Sequence, residues 1–458
     1  MAKVTLVNPQ IAVSSWDPKF GNLDSTSIRL GLAYLSACLK KAGHVVELID
    51  LRLLKGWDAY EKLVMWQKPD FLAVSMHTCE YKIAIECCRR AKKLDPDITT
   101  IAGGIHATMF PEDCLRTNVV DFVVKGEGEV SFPKLVENPK QFPSVFWGET
   151  PDLNAIPFPD RELWSDYEKR IQFPFFGTNA QPFLPPMIEM LTGRGCPWSC
   201  RFCCGPGEKN LYTIEKGGKR VPFIRQRSIS NLMAELAQLY ERYRFRSIVF
   251  HDDQFVINPK WVKDFCESMH DYGFVEKNVK WWAASRADII AKHPELFAEM
   301  KKAGLKMLSV GFESFSDRML KWIDKGTVSS DNWEAVKILR NLGIQIYGNF
   351  ILGIPYEDGK WYPEDDIKTA KAISTIKPDL CSVSYFTPVP GSYLYNFCKD
   401  NDLILPVVNL GLRFPTGEKI KGVDYRFLHK LRVFARHKFL SKFFFHIPER
   451  LIAHACMH

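Results

Sequence analysis

Thr192-Gly-Arg-Gly-Cys196-Pro-Trp-Ser-Cys200-Arg-Phe202-Cys203-Cys-Gly-Pro-Gly-Glu208 is the stretch on which the reading of this sequence turns. Cys196, Cys200 and Cys203 stand at a C-x3-C-x2-C spacing on a Gly- and Pro-containing loop, and an apolar strand-like run, Pro186–Leu191, leads into it. Three thiolates on one short loop can hold three irons of a [4Fe–4S] cluster and leave the fourth open to a ligand. Zinc is the alternative for clustered cysteines. Cys204 is expected to point away from the other three.

The rest of the chain is consistent with a two-domain globular protein. It has 458 residues, 46% hydrophobic and 25% charged, enough apolar matter for two cores. No run of 18 apolar residues is present, so no spanning helix is expected. The start, Met1–Asn8, reads as a strand and not as a secretory signal. Thirteen cysteines, with three on one exposed loop, point to a reducing, cytoplasmic and anaerobic setting. The net charge is +8, and Tyr425–His458 supplies most of it with seven Lys/Arg against one Glu. The remainder is nearly neutral, which argues against a nucleic-acid-binding face and confines any anionic or membrane-surface contact to the tail.

Residues 1–146 alternate strand and helix patterns: strands at Val4–Val7, Val45–Ile49, Phe71–Ser75, Thr99–Ala102 and Asp121–Val124, helices at Leu30–Ala42 and Tyr81–Lys93. This rhythm predicts a parallel, doubly wound sheet. Ligands of such sheets lie beyond the C-terminal strand ends. The loops that matter are then Asn8–Ser14, Ser75–Glu80, Gly103–Thr108 and Gly126–Glu129. There is no G-x-G-x-x-G after the first strand, which argues against a dinucleotide. Gly103-Gly104 and Gly126-Glu127-Gly128 either let a flat ligand approach the backbone or simply make tight turns. His77 and His106 lie on the loops after the third and fourth strands, where each approaches a ligand or makes local hydrogen bonds.

The set Asn8-Pro9, Leu30-Gly31-Leu32-Ala33-Tyr34-Leu35, Gly43-His44-x-Val46, Gly103-Gly104-x-His106-Ala107-Thr108 and Gly126-Glu127-Gly128-Glu129 resembles the Rossmann-like cobalamin-binding domain that precedes many radical S-adenosylmethionine (SAM) enzymes. That resemblance makes Ser75, His77, Gly103, Gly104, His106, Gly126, Glu127 and Gly128 the candidate cobalamin-binding residues. The D-x-H-x-x-G motif of histidine-on cobalamin proteins is not found, which implies cobalamin without a protein histidine beneath cobalt. Residues 147–185, rich in Pro and Asp, read as a linker, and Ile156-Pro157-x-Pro159-Asp160-Arg161 resembles the family's inter-domain segment.

From Pro186 onward, strand runs at Ser247–Phe250, Lys280–Ala284, Met307–Gly311, Ile344–Ile351 and Leu380–Phe386 alternate with helix-length segments. With the strand before the cysteines they make six, and a partial (β/α)6 barrel over 186–395 follows, its site at the C-terminal strand ends. Each end carries a signature: the cysteine loop, His251-Asp252-Asp253-Gln254-Phe255, Ser285-Arg286, Gly311-Phe312-Glu313-Ser314, Gly353-Ile354-Pro355 and Thr387-Pro388-x-Pro390-Gly391. In this order the blocks resemble the radical SAM superfamily, in its cobalamin-dependent, class B methyltransferase-like and methylthiolating branches. The resemblance implies that Cys196, Cys200 and Cys203 hold the cluster beside Phe202. It also implies that Arg286 pairs the methionine carboxylate of SAM, Glu313 accepts from its ribose or amino group with Ser314 beside it, and Gly353 gives adenine or substrate room. Asp252 and Asp253 are a metal pair or carboxylates held by backbone donors. Trp281, Tyr347 and Tyr385 line the cavity or fill the core.

Residues 396–458 read as a helical, basic segment. Tyr425–Phe445 is either a cap over the barrel or an interfacial helix on anionic membrane anchored by Phe443-Phe444-Phe445. The resemblance implies a cobalamin-dependent radical SAM enzyme that methylates an unactivated carbon of a small-molecule, lipid or peptide substrate. It works as a monomer with a flavodoxin- or ferredoxin-like electron donor. Alternatives are radical cyclisation or rearrangement with the same cofactors, methylthiolation of transfer RNA, and a non-enzymatic cobalamin sensor.

Overall fold

The computed structural model of the chain describes residues 1–9, 27–172, 183–214, 223–405 and 418–436. They form two compact units. One comprises the described residues of Met1–Gly177, Pro185–Glu189 and Glu208–Arg244, the other those of Thr178–Leu184, Met190–Gly207 and Phe245–His458.

The first unit is built on a six-stranded sheet in the order β2-β1-β3-β4-β5-β6: β1 Lys3–Asn8, β2 Val45–Asp50, β3 Phe71–Ser75, β4 Thr99–Gly103, β5 Phe122–Lys125 and β6 Val145–Trp147. All its pairings are parallel. Phe71–Val74 are buried on both faces, as a sheet covered by helices on each side requires. The crossovers include α1 (Leu30–Lys41), α2 (Trp57–Gln67) and α3 (Tyr81–Leu94). Helix α3 turns Ala84, Ile85, Cys87, Cys88 and Ala91 inward, the 3.6-residue spacing of one helical face. Cys87 and Cys88 are thus core residues, and burial pushes both thiols well up, Cys88 to about 12.

Two boundaries differ from the sequence reading. The segment after residue 146 is more than a crossing, because its described part packs into the first unit. Asp160 accepts from Ser36 (2.6 Å), pairs with Lys40 (2.7 Å) and donates its N–H to the Ala33 carbonyl (3.0 Å). Trp164 is buried and donates to Asp50 (3.2 Å). Residues 173–182 of the expected linker lie outside the described residues. The second difference is that Glu208–Arg244, assigned by sequence to the barrel, belongs to the first unit. The reason is a buried charge network on α4 (Ile229–Tyr243), where Glu235 accepts from Arg161 (2.7 Å) and Arg227 (2.6 Å). All three side chains are at most 4% exposed. Tyr212 adds an edge-on contact with Trp147, ring centroids 4.9 Å apart.

A second six-stranded sheet, whose last five strands lie in the second unit, runs in the order β12-β11-β10-β9-β8-β7, with β7 Met187–Met190, β8 Ser247–Phe250, β9 Lys280–Ser285, β10 Leu305–Glu313, β11 Gln345–Leu352 and β12 Leu380–Tyr385. The pairings from β8 to β12 are parallel. Each crossover adds its strand beside the last and on the same side, which makes an open six-stranded half-barrel rather than a doubly wound sheet. Its core is aromatic: Phe250, Phe255, Phe265 and Trp281 meet edge-on or tilted within 6 Å. Trp281 is fully buried and donates to the Ala303 carbonyl (2.9 Å), so it fills the core. Tyr385 is buried and Tyr347 half-buried, edge-on to Trp282.

The basic helix is described over Tyr425–Arg436. Its Phe427, Leu428, Leu431 and Ala435 are buried, and it packs on the helix Pro363–Ile376 that precedes β12. An interfacial role is therefore not available to this face, because protein already covers the apolar stripe. Residues 437–445, with the Phe443–Phe445 anchor, lie outside the described residues. Among the described residues no helix is long and apolar enough to cross a membrane.

Candidate active site

The cysteine loop leaves β7 and is tied down at once by the next strand end. Asp252, buried after β8, accepts the Thr192 hydroxyl (2.6 Å) and the Thr192 N–H (3.1 Å). Asp253 accepts the Gly195 N–H. Burial pushes the Asp252 carboxyl up to about 6, with the Thr192 and Gly193 hydrogen bonds opposing it. Of the two readings left open for these aspartates, the carboxylate held by backbone donors is the one seen. Their work is to fix where the cysteines start.

Cys196 is half-buried, Cys200 buried and Cys203 exposed. Cys203 accepts the Gly205 N–H (3.4 Å) and is hydrogen-bonded to the Cys204 thiol. Cys204 was expected to turn away. It does not: its thiol is hydrogen-bonded to that of Cys203, just before the helix Gly205–Ile214 begins. Among the described residues no three metal-ligating side chains close on one position.

Two cations surround Cys200. Arg286, at the end of β9, is 5% exposed. It donates to Asp288 (2.9 Å), to the Lys325 carbonyl and to Cys200 Sγ (3.8 Å), and lies 4.5 Å over the Trp198 ring. Three of its five N–H groups therefore go to the loop and its supports, so Arg286 holds the cysteine loop as well as standing where a carboxylate was expected. The second cation, Lys325, went unread in the sequence. It is 5% exposed, its Nζ donates to Glu313 Oε1 (2.9 Å), and it lies 5.7 Å from the Phe202 ring centroid. Burial pushes the Cys200 thiol up, while Lys325 and Arg286 pull it the other way.

Glu313 takes a left-handed backbone (φ 60°) at a register shift between β10 and β11. The bulge turns its carboxylate back over Gly311, where a Cβ would sit 2.6 Å from Glu313 Oε1. Ser314 is engaged in a buried network with Thr369 (3.1 Å) and the Ser316 N–H (3.1 Å). Its hydroxyl thus ties this strand end to the helix that carries Thr369. The reading of Gly353 needs correction. The place of its missing side chain is taken by Leu428 and Val423, 2.7 and 3.3 Å from a Cβ there. The room read as adenine or substrate space is filled by the C-terminal segment.

Asp366 accepts the Gly353 N–H (3.0 Å) and the Trp361 indole (2.7 Å), and burial pushes its carboxyl up to about 7. A carboxyl raised on folding contributes stability that is present below its ordinary value and is lost as pH rises through the folded one. The window here runs from about 4 to about 7 and is worth at most about 4 kcal/mol. Asp366→Asn is expected to flatten that slope and to raise the melting temperature at pH 8 more than at pH 6. An unchanged pH dependence in thermal unfolding would count against Asp366 as its source.

In the first unit the candidate residues stand along the C-terminal edge of β3, β4 and β5. Ser75, Gly103, Gly104, Gly126, Glu127 and Gly128 are all half-exposed, a shelf of small residues. Gly104 (φ 88°) presses on the loop after β3, where a Cβ would lie 2.8 Å from the Met76 N and O atoms. Gly126 lies under Trp147, whose ring would be 2.6 Å from a Cβ. Glu127 pairs with Arg225 and stands 3.4 Å from the Tyr212 hydroxyl. His77 is exposed and bonds Glu80 (3.3 Å). His106 is buried between Tyr81 and Phe110, 3.2 Å from the Thr78 hydroxyl, and burial lowers its pKa. It packs in the core beneath the shelf, so it does not approach a ligand from the loop surface. Of the loop Asn8–Ser14, residues beyond Pro9 lie outside the described residues.

The B12 binding domain family matches residues 20–136 and the Radical SAM superfamily matches residues 190–365. The chain thus carries a B12 binding domain and a Radical SAM domain. It is 27% identical to the hopanoid C-3 methylase of Methylococcus capsulatus over 79% of this chain and 67% of that one. It is 26% identical to the anaerobic magnesium-protoporphyrin IX monomethyl ester cyclase of Cereibacter sphaeroides over 92% of this chain and 68% of that one. In fold it is similar to the radical SAM methyltransferase TsrM from Kitasatospora setae, TM-score 0.62 at 16% identity, covering 88% of this chain and 78% of that one.

The residues of this chain fit the cofactors of a B12 binding domain and a Radical SAM domain. Three thiols on one loop, flanked by buried Arg286 and Lys325, suit an anionic iron–sulfur cluster, because positive charge favours the thiolate form. The half-exposed Ser75, Gly103 and Gly104 at the ends of β3 and β4 suit a broad flat ligand, since small residues let it approach the backbone closely.

Proposed function

We propose that this enzyme methylates an unactivated carbon of its substrate. The observation that carries the reading is the pairing, within one chain, of the B12 binding domain with a half-barrel whose three-cysteine loop has Cys200 beside two buried cations, Arg286 and Lys325. When bound, the cluster supplies the electron that cleaves SAM and cobalamin supplies the carrier for the methyl group. The protein's own part is placement. Asp252 and Asp253 set the start of the cysteine loop, and Arg286 clamps Cys200, Trp198 and the Lys325 backbone together. Holding the reacting groups in fixed positions at the strand ends of the half-barrel lets a reactive species meet its substrate before it meets water.

The substrate is proposed as a small molecule, lipid or peptide, with a flavodoxin- or ferredoxin-like protein as electron donor and a monomeric, cytoplasmic, oxygen-free working state. Similarity to the cyclase of Cereibacter sphaeroides over most of the chain favours a second reading, in which the same cofactors close a ring. Methyl-labelled SAM separates the two. Label in the product together with 5′-deoxyadenosine is the expected result. Deoxyadenosine formed with no label in the product sinks methylation and leaves cyclisation.

A further inference from the structure

The least expected group at the barrel mouth is Lys325. A lysine at 5% exposure is costly to bury unless it is paired. Its partner in charge, Glu313 at 2.9 Å, is itself only 7% exposed and lies at a bulge in a left-handed backbone conformation. The turn that carries Lys325 is equally unusual, with positive φ at Asp324 (50°) and Gly326 (69°) on either side. A Cβ on Gly326 would lie 3.5 Å from Arg286 Nη2, and Arg286 donates to the Lys325 carbonyl. Backbone strain of this kind persists where surrounding structure over-determines it. The result is a fixed ammonium over Phe202, on the cysteine loop, with Arg286 on Cys200 beside it.

We propose that Lys325 is a positioning residue that raises the reduction potential of the cluster, with Glu313 acting in the opposite direction. The inference rests on the cluster reading given under Proposed function. Cluster potentials follow the net charge and hydrogen bonding around the sulfurs, and a charge in a buried site is poorly screened. A cation held beside the cysteine loop favours the reduced, more negative cluster. The Glu313 carboxylate, paired to that same ammonium, favours the oxidised one. The pair therefore sets both how readily the cluster takes an electron and where the Glu313 oxygens point.

The test is an anaerobic redox titration of the reconstituted full-length protein, followed by electron paramagnetic resonance. Lys325→Met is expected to shift the midpoint to a more negative value, Glu313→Gln to a more positive one, and Lys325→Arg to leave it near wild type. A purely structural lysine would not produce shifts of opposite sign. If Lys325→Met fails to fold, the Lys325→Met/Glu313→Gln double variant leaves no buried charge unpaired, and its midpoint is expected below that of Glu313→Gln alone. Equal midpoints for wild type and Lys325→Met, or for Glu313→Gln and the double variant, overturn the proposal. A wild-type protein that binds no cluster would overturn the cluster reading instead, so the two failures are told apart.

Discussion

Replacing Cys196, Cys200 and Cys203 together by alanine abolishes SAM cleavage, with 5′-deoxyadenosine falling to the level of a protein-free control and bound iron and sulfide lost. The expectation follows from the site rather than from the fold. Cys203 is exposed and Cys196 half-buried, so two of the three substitutions remove little packing. Cys200 is buried, but a single thiol replaced by alanine on a loop costs far less than a barrel core residue. The Asp252–Thr192 tether and the Arg286 clamp onto Trp198 remain in the variant. The first unit should accordingly retain cobalamin, read from its visible absorption. Deoxyadenosine formation persisting in the triple variant would defeat the assignment of these residues and the enzymatic reading with it. A sensor of cobalamin would lose nothing by the change.

The second large effect is on stability. Glu235→Ala leaves Arg161 and Arg227 facing one another in the first unit without the carboxylate that joins them. Uncompensated burial of charge costs about 3–5 kcal/mol when one partner of a buried pair is removed, a large share of the stability of most domains. Arg161 keeps its bond to the Glu189 carbonyl (2.9 Å), which supports the backbone but does nothing for the charge. Glu235→Gln retains two polar oxygens' worth of geometry only in part and is expected to fall between. Denaturant unfolding of the full-length protein reads the effect, and an alanine variant as stable as wild type would show that the network contributes nothing.

Much of this arrangement was legible in the sequence because it is written in local patterns. The strand periods of Phe71–Ser75 and Ser247–Phe250 and the C-x3-C-x2-C spacing need only a few consecutive residues to be read. What was not legible depends on pairs far apart in the chain. Arg161 stands in a proline-rich stretch that looks like a linker, and its partner Glu235 lies 74 residues on. Lys325 sits in an Asp-Lys-Gly turn that resembles a solvent-facing helix end. The one available signal was the Gly326 that follows it, since two left-handed residues flanking a lysine constrain where it points. Gly353 misled for a different reason. A glycine marks where a side chain cannot go, but the occupant was Leu428 from the C-terminal helix, not a ligand.

Glu208–Arg244 follows the cysteine loop in sequence yet packs with the first unit. The chain is therefore not two interchangeable modules joined end to end. A cut after residue 185 would put Arg161 on one fragment and Glu235 with Arg227 on the other, so Arg161 would lose the carboxylate that neutralises it while Glu235 kept only Arg227. Neither piece would be a self-sufficient unit of inheritance or of engineering. A graft of a foreign cobalamin domain onto this barrel would have to bring its own version of residues 208–244, and two severed fragments would regain a stable first unit only by complementation.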